Sequence, residues 1–215
     1  MFRGNKCGLK TRRITDQPIL HNPTEDCIAP KPRKVDMQIL PSESIGTYLE
    51  AAQRCHLLPI FYLELVSGLR KGELVALLWD DVDTEHNMIS VSRQLVRNPD
   101  GSLELTQPKT ETSIRQVSIP QEAVDLPLQE HNLHSDNPYL FPSSTTGKMY
   151  HPDSVVRLHE KILRDAGLPH IRFHDLRHTF ATMALQNGVD IKTVSAMLGH
   201  YDAGFIHTCH PAKAG

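Results

Sequence analysis

Apolar positions follow a helical period near both ends of the chain and alternate in the middle. In PSESIGTYLEAAQR, from Pro41, the residues Ile45, Tyr48, Leu49 and Ala52 share one face. That spacing predicts an amphipathic helix, with Ser42 or Ser44 as its N-cap. A more apolar segment, LLPIFYLELVS, predicts a second helix that stops at Gly68, a residue suited to a left-handed C-cap. KGELVALLWDDVD reads as a short helix running into an acidic turn. The period then changes to two: Ile89, Val91 and Leu95 alternate in MISVSRQLV, as in a strand. NPDG at 98–101 signals a hairpin, and Leu103 and Leu105 resume the alternation. After the polar turn KTETS, IRQVSIP (114–120) predicts a third strand. Helical signals return at 121–130, 153–166, 174–187 and 190–198, punctuated by Gly188, Asp190 and Gly199. The fold class expected is mainly α (α+β), with a small three-stranded antiparallel sheet set among helices. Residues 1–41, with HNPTEDCIAPKPRK, are rich in proline and polar residues and read as an extended lead-in.

Composition narrows the class. Of 215 residues, 39% are hydrophobic and 22% charged, ordinary for a soluble domain. No apolar run reaches the ~18–20 residues of a membrane span. The opening MFRGNKCGLKTRR has no apolar core of a secretory signal. The four cysteines, Cys7, Cys27, Cys55 and Cys209, form no CxxC pair, which argues against a disulfide framework and for a reducing, cytoplasmic setting. Net charge is −2, so contact with nucleic acid requires a local basic face. Two basic clusters exist: KTRR (10–13), with Arg12 and Arg13, and KPRK (31–34), with Lys31, Arg33 and Lys34. Taken alone, each reads equally well as solvated linker.

Chemistry concentrates in a few places. In FHDLRHTF (173–180), His174 and Arg177 are three apart and share a helix face, opposite a core stripe of Leu176, Phe180, Met183 and Ala184. A guanidinium fork matches two phosphate oxygens, and an imidazole moves protons near neutral pH. In SGLRKGEL, Arg70 stands at a helix start, where anions are favoured, and Glu73 is one turn on, placed to buttress it. Lys109, on the turn between the second and third strands, is placed to deliver a proton to a leaving oxygen. Singly, each of these is equally an ordinary surface residue.

In this order the residues carry more weight. Arg70 in SGLRKGEL, Lys109 in PKTETSIRQVSIP, His174 and Arg177 in HDLRHTFAT and His200 in MLGH resemble the catalytic domain of the tyrosine recombinases, the phage- and transposon-type integrases. The resemblance runs from about residue 38 to about 206. It implies a domain that cuts one DNA strand at a time through a phosphotyrosine bond, without metal or cofactor. By that resemblance Arg70 and Arg177 clamp the scissile phosphate. Lys109 protonates the departing 5′ oxygen, His174 assists proton transfer at the nucleophile, and His200 donates a hydrogen bond to the phosphate. Residues 1–37 then correspond to the linker and the remnant of a core-binding domain, which gives Arg12, Arg13, Lys31, Arg33 and Lys34 a role on DNA phosphates.

The tail departs from the pattern. The family carries its tyrosine nine or ten residues after the LGH histidine, whereas LGHYDAGFIHTCHPAKAG has no tyrosine after Tyr201. HTC aligns where HTY is expected if one residue is missing, which places Cys209 at the nucleophile position. Three readings compete: a zinc site of His200, His207, Cys209 and His210; Cys209 as nucleophile; or a degenerate tail over 207–215, the favoured one. The expectation is a site-specific recombinase catalytic domain impaired in strand cleavage. The rival is a non-catalytic DNA-binding remnant that occupies recombination sites or interferes with an intact recombinase. Expected partners are double-stranded DNA, copies of the chain on DNA or an intact recombinase, with no membrane and no bound metal.

Overall fold

The computed structural model describes residues 38–107, 114–131 and 136–199. Helix α1 (Ser42–Arg54) opens the described part, and its N-cap is Pro41, with no side-chain cap from Ser42 or Ser44. Proline at the cap fixes the entry dihedral, so the serines fall inside the first turn. Tyr48, Ala51 and Ala52 are buried, with Ile45 and Leu49 packed beside them. Helix α2 (Leu58–Ser67) is apolar nearly all round and accordingly sits in the core. It stops at Gly68, which adopts φ 60°. A Cβ there would run into the Phe180 ring, so glycine is required twice over, by conformation and by space.

Helix α3 is a single turn (Lys71–Leu74), followed by a 3₁₀ turn at Trp79–Asp81. Among the described residues five strands follow: β1 (Val82–Asp83), β2 (Met88–Val91), β3 (Gln94–Arg97), β4 (Leu103–Thr106) and β5 (Arg115–Ser118). They form two antiparallel sheets, β1-β2-β5 and β3-β4. This corrects the single sheet expected from three longer strands. MISVSRQLV breaks at Ser92–Arg93, because Arg93 turns to pair with Asp81 at 2.9 Å. Beyond the break β3 lies so close over α3 that a Cβ on Gly72 would meet the Leu95 carbonyl at 2.6 Å. The three-stranded sheet exists, with β1 in the place given to the hairpin. In it Ile89 opposes Val117, both buried. The NPDG hairpin forms as expected, with Leu95 opposite Leu105 and Gly101 at φ 90°.

Helices α4 (Gln121–His131), α5 (Pro152–Asp165), α6 (Phe173–Gln186) and α7 (Ile191–Met197) follow the helical signals of the sequence. Asp190 caps α7 through the amides of Lys192 and Thr193. The main core joins α1, α2, α5, the start of α6 and the inward faces of β2 and β5. A second cluster, Phe180, Ala181, Val194 and Leu198, locks α7 onto α6. Within the main core runs a buried polar link. The Tyr48 hydroxyl lies 2.9 Å from His159 Nδ1, and His159 Nε2 lies 3.1 Å from the Ile171 carbonyl. Since only an N–H can serve that carbonyl, Nδ1 accepts from the tyrosine and the ring is neutral. Among the described residues no helix is long and apolar enough to cross a membrane.

Candidate active site

Arg70 is the N-cap of α3. Its backbone N–H donates to Glu73 Oε2 at 2.8 Å, and its Nη1 donates to Oε1 at 2.8 Å. Its Nη2 reaches across to the Gly199 carbonyl at 3.3 Å. The Arg70 side chain remains 34% exposed, so part of the guanidinium faces solvent.

Arg177 approaches from α6. Its Nη1 donates to the Gly68 carbonyl at 2.6 Å and its Nη2 to the Leu198 carbonyl at 2.5 Å. The carbonyls of Leu198 and Gly199 are adjacent along the chain, so Arg70 and Arg177 meet at one point. Arg177 is only 6% exposed, which corrects the open polar face expected for it. Helix α6 is covered by α2 on one side and α7 on the other, so its residues 175–182 are buried all round. Burial, and then the charge of Arg70, push the Arg177 pKa down to about 10, which still leaves it cationic at neutral pH.

His174, one turn before Arg177, keeps an exposed face. Protein crowding on its inner side and then the Arg177 charge push its pKa down. It stands edge-on to His178 with ring centroids 4.8 Å apart. His178 is buried, and desolvation followed by repulsion from His174 lowers its pKa to about 4.

Sequence reasoning missed Arg115. From the start of β5 its Nη1 and Nη2 hold both oxygens of Glu73, and its Nε donates to the Met197 carbonyl at 2.6 Å. A signal was available: Arg115, Val117 and Ile119 share one phase of the strand, and that phase points inward. Glu73 itself is 1% exposed. Burial alone would raise its pKa, but hydrogen bonds and charge from Arg115 and then Arg70 outweigh it and hold the carboxyl below its ordinary value. The expectation that Glu73 buttresses Arg70 therefore has its geometry. Arg70 and Arg115 hold one ionised carboxylate and Arg177 lies beside them, a surplus of positive charge in a partly dry setting, suited to an anion with several oxygens.

Lys109, His200 and Cys209 lie outside the described residues, as do Arg12, Arg13, Lys31, Arg33 and Lys34. Of the residues expected to converge, Arg70, His174 and Arg177 do so, and Gly199 brings the chain to the pocket one position before His200. Among the described residues no cluster of three or more His, Cys, Asp or Glu is arranged to hold a metal ion.

Comparison with known proteins adds the family. The sequence profile of the phage integrase family matches residues 39–208. The chain belongs to the phage integrase family. A XerC-like tyrosine recombinase of Caldanaerobacter subterraneus subsp. tengcongensis is 30% identical over 190 residues, 78% of this chain and 48% of that protein. The chain thus spans about half the length of this integrase-family relative. The fold matches the Tn1549 transposon integrase, solved in complex with transposon right end DNA, with a TM-score of 0.74 at 20% identity, over 86% of this chain and 64% of that one. It matches the crystal structure of XerA recombinase with a TM-score of 0.69 at 26% identity, over the same shares of the two chains.

Proposed function

We propose that residues 38–206 form the catalytic domain of a site-specific integrase, one that binds DNA and is impaired in strand cleavage. In it, Arg70 and Arg177 clamp one phosphate of a DNA duplex, and Glu73 and Arg115 fix the clamp from behind. The observation that carries this reading is the convergence of Arg70 and Arg177, from separate elements, on the successive carbonyls of Leu198 and Gly199. Two guanidinium groups held there neutralise charge on the equatorial oxygens of a phosphate under attack. His174, half in solvent beside them, exchanges a proton with the attacking group. Lys109 and His200 complete the set by family resemblance, and the basic residues of 1–37 add sequence-independent contacts to the backbone. On DNA the chain assembles with copies of itself or with an intact recombinase.

In the family the attacking tyrosine stands nine or ten residues after the LGH histidine, and this sequence has Cys209 and His210 there. On this reading the tail from 207 onward is degenerate, and the chain binds DNA phosphate without forming a covalent bond to it. Two measurements test this reading. Affinity for duplex DNA should fall steeply with salt, and Arg70→Ala should weaken it at least tenfold. On a nicked suicide substrate the wild-type chain should give no denaturation-resistant adduct. An adduct lost on Cys209→Ala would overturn the degenerate tail and make Cys209 the nucleophile, while salt-insensitive binding would overturn the phosphate clamp.

A further inference from the structure

A cavity of about 340 Å³ opens beside the arginine pocket, under His174. Its walls are apolar, formed by Leu69, Val156, Ile171 and Phe173. Its rim is polar, with His170 and Arg172 exposed and Lys71 and Glu160 half-buried. From α2, Glu64 lines it from the protein side, fully buried, and neither of its carboxyl oxygens has a hydrogen-bond partner. Leaving a buried acid unpartnered costs stability, so the position asks what satisfies it.

The chemistry of the walls narrows the answer. Burial raises the Glu64 pKa well above the carboxylate range, with Arg177 pulling it down and Glu73 pushing it up. Burial thus favours the protonated form of Glu64, in which the carboxyl offers one O–H donor beside one C=O acceptor. The rim cations are largely engaged: Lys71 faces Asp153 at 3.5 Å and Arg172 holds Asp175 at 2.7 Å. A ligand gripped mainly by charge fits this site poorly. A flat ligand fits well if it is apolar on its faces and has an acceptor next to a donor on its edge. Each nucleobase has such an edge: ring nitrogen and amino group in adenine and cytosine, carbonyl and ring N–H in guanine and thymine. The volume lies in the range of ~300–1,000 Å³ typical of small-ligand sites.

We infer that this cavity is a nucleobase site, in which the Glu64 carboxyl pairs with the edge of a base whose faces lie against the apolar walls. The base comes from a free nucleotide or from a nucleotide extruded from DNA beside the phosphate held at Arg70. The second source rests on the proposed function; the first does not.

Titrating the full chain with 2′-deoxyadenosine 5′-monophosphate, and separately with 2-deoxyribose 5-phosphate, tests the site. The nucleotide should bind at least tenfold more tightly than the sugar phosphate. Glu64→Leu, which removes donor and acceptor together, should abolish that preference. Val156→Phe, which fills the cavity from α5, should do the same should the first variant fail to fold. A duplex carrying one bulged 2-aminopurine separates the sources. A rise in fluorescence of the bulged base on binding, as it leaves the stack for the apolar walls, lost in Glu64→Leu while affinity for the same duplex without the bulge stays within twofold, identifies an extruded base. Nucleotide binding without that rise identifies a free nucleotide. If the mononucleotide binds no better than the sugar phosphate and the fluorescence of the bulged base does not rise, the cavity holds only water and the proposal falls. If duplex binding itself is absent, the proposed function fails, and the mononucleotide comparison still decides the base site.

Discussion

Arg115 grips Glu73 with two hydrogen bonds, 3.1 Å from Nη1 to Oε1 and 2.9 Å from Nη2 to Oε2. The two side chains are 6% and 1% exposed, so this is a buried, bidentate ion pair. Arg70 shares the same carboxylate from the solvent side. The partly exposed Arg70 guanidinium is therefore aimed by a carboxylate that is itself aimed by a strand.

Removing Arg115 strands that carboxylate. Arg115→Ala should destabilise the fold by about 3–5 kcal/mol, the usual cost of breaking a buried pair from one side. Urea denaturation measures it. Arg115→Lys should recover only part of the loss, since an ammonium cannot make both parallel bonds. A loss under ~1 kcal/mol for Arg115→Ala would mean the pair is not a structural strut.

Arg177 packs the site together, and the phosphate role proposed for it adds a second effect to its removal. Arg177→Ala leaves the carbonyls of Gly68 and Leu198 without their donor, at a cost of about 1–3 kcal/mol in stability. It should also weaken duplex binding at least tenfold. Thermal unfolding and a binding titration on the same preparation read both effects. Binding that is lost with unchanged melting temperature would confine Arg177 to the phosphate.

Glu64 gives a pH signature. Its pKa is raised in the folded state, so the native chain holds a proton that the unfolded chain releases above the ordinary value of 4.5. Stability from this group is complete below 4.5 and declines as pH rises from there toward the raised value. Glu64→Gln should flatten that decline. Chemical denaturation of both proteins from pH 5 to pH 9 tests it, and parallel curves for the two would contradict a protonated Glu64.

His159 acts in the opposite direction. Desolvation holds its pKa down at about 4 against an ordinary 6.5. The folded chain therefore refuses a proton that the unfolded chain accepts, and stability falls as pH drops through 6.5 toward 4. The loss is on the order of 3 kcal/mol once both values are passed. His159→Leu should lower stability at pH 7 by freeing the Tyr48 hydroxyl, yet show a shallower acid limb. An equally steep acid limb in the variant would assign the effect to other groups, His178 first.

Local periodicity carried most of the fold. The helices formed where apolar residues recur at 3.6, and the NPDG hairpin formed where turn chemistry demanded it. What escaped was decided at long range. The break at Ser92–Arg93 depends on Asp81, twelve residues away, whose carboxylate turns Arg93 out of the strand. Arg177 lies off the apolar stripe of its own helix, and only the packing of α2 and α7 on either side buries it. Arg115 stood in the inward phase of an alternating strand, but an arginine reads as surface until a buried Glu73 supplies the reason to turn inward.

The ends of three guanidinium groups fall on three successive carbonyls, those of Met197, Leu198 and Gly199. They are the last carbonyl of α7 and the two that follow it, at the end where a helix leaves its acceptors open. On the proposed function, a phosphate arriving at Arg70 and Arg177 competes with the carbonyls of Gly199 and Leu198 for the same N–H groups. The seating of the end of α7 and the occupancy of the anion pocket would then be linked equilibria, each shifting the other by the same free energy.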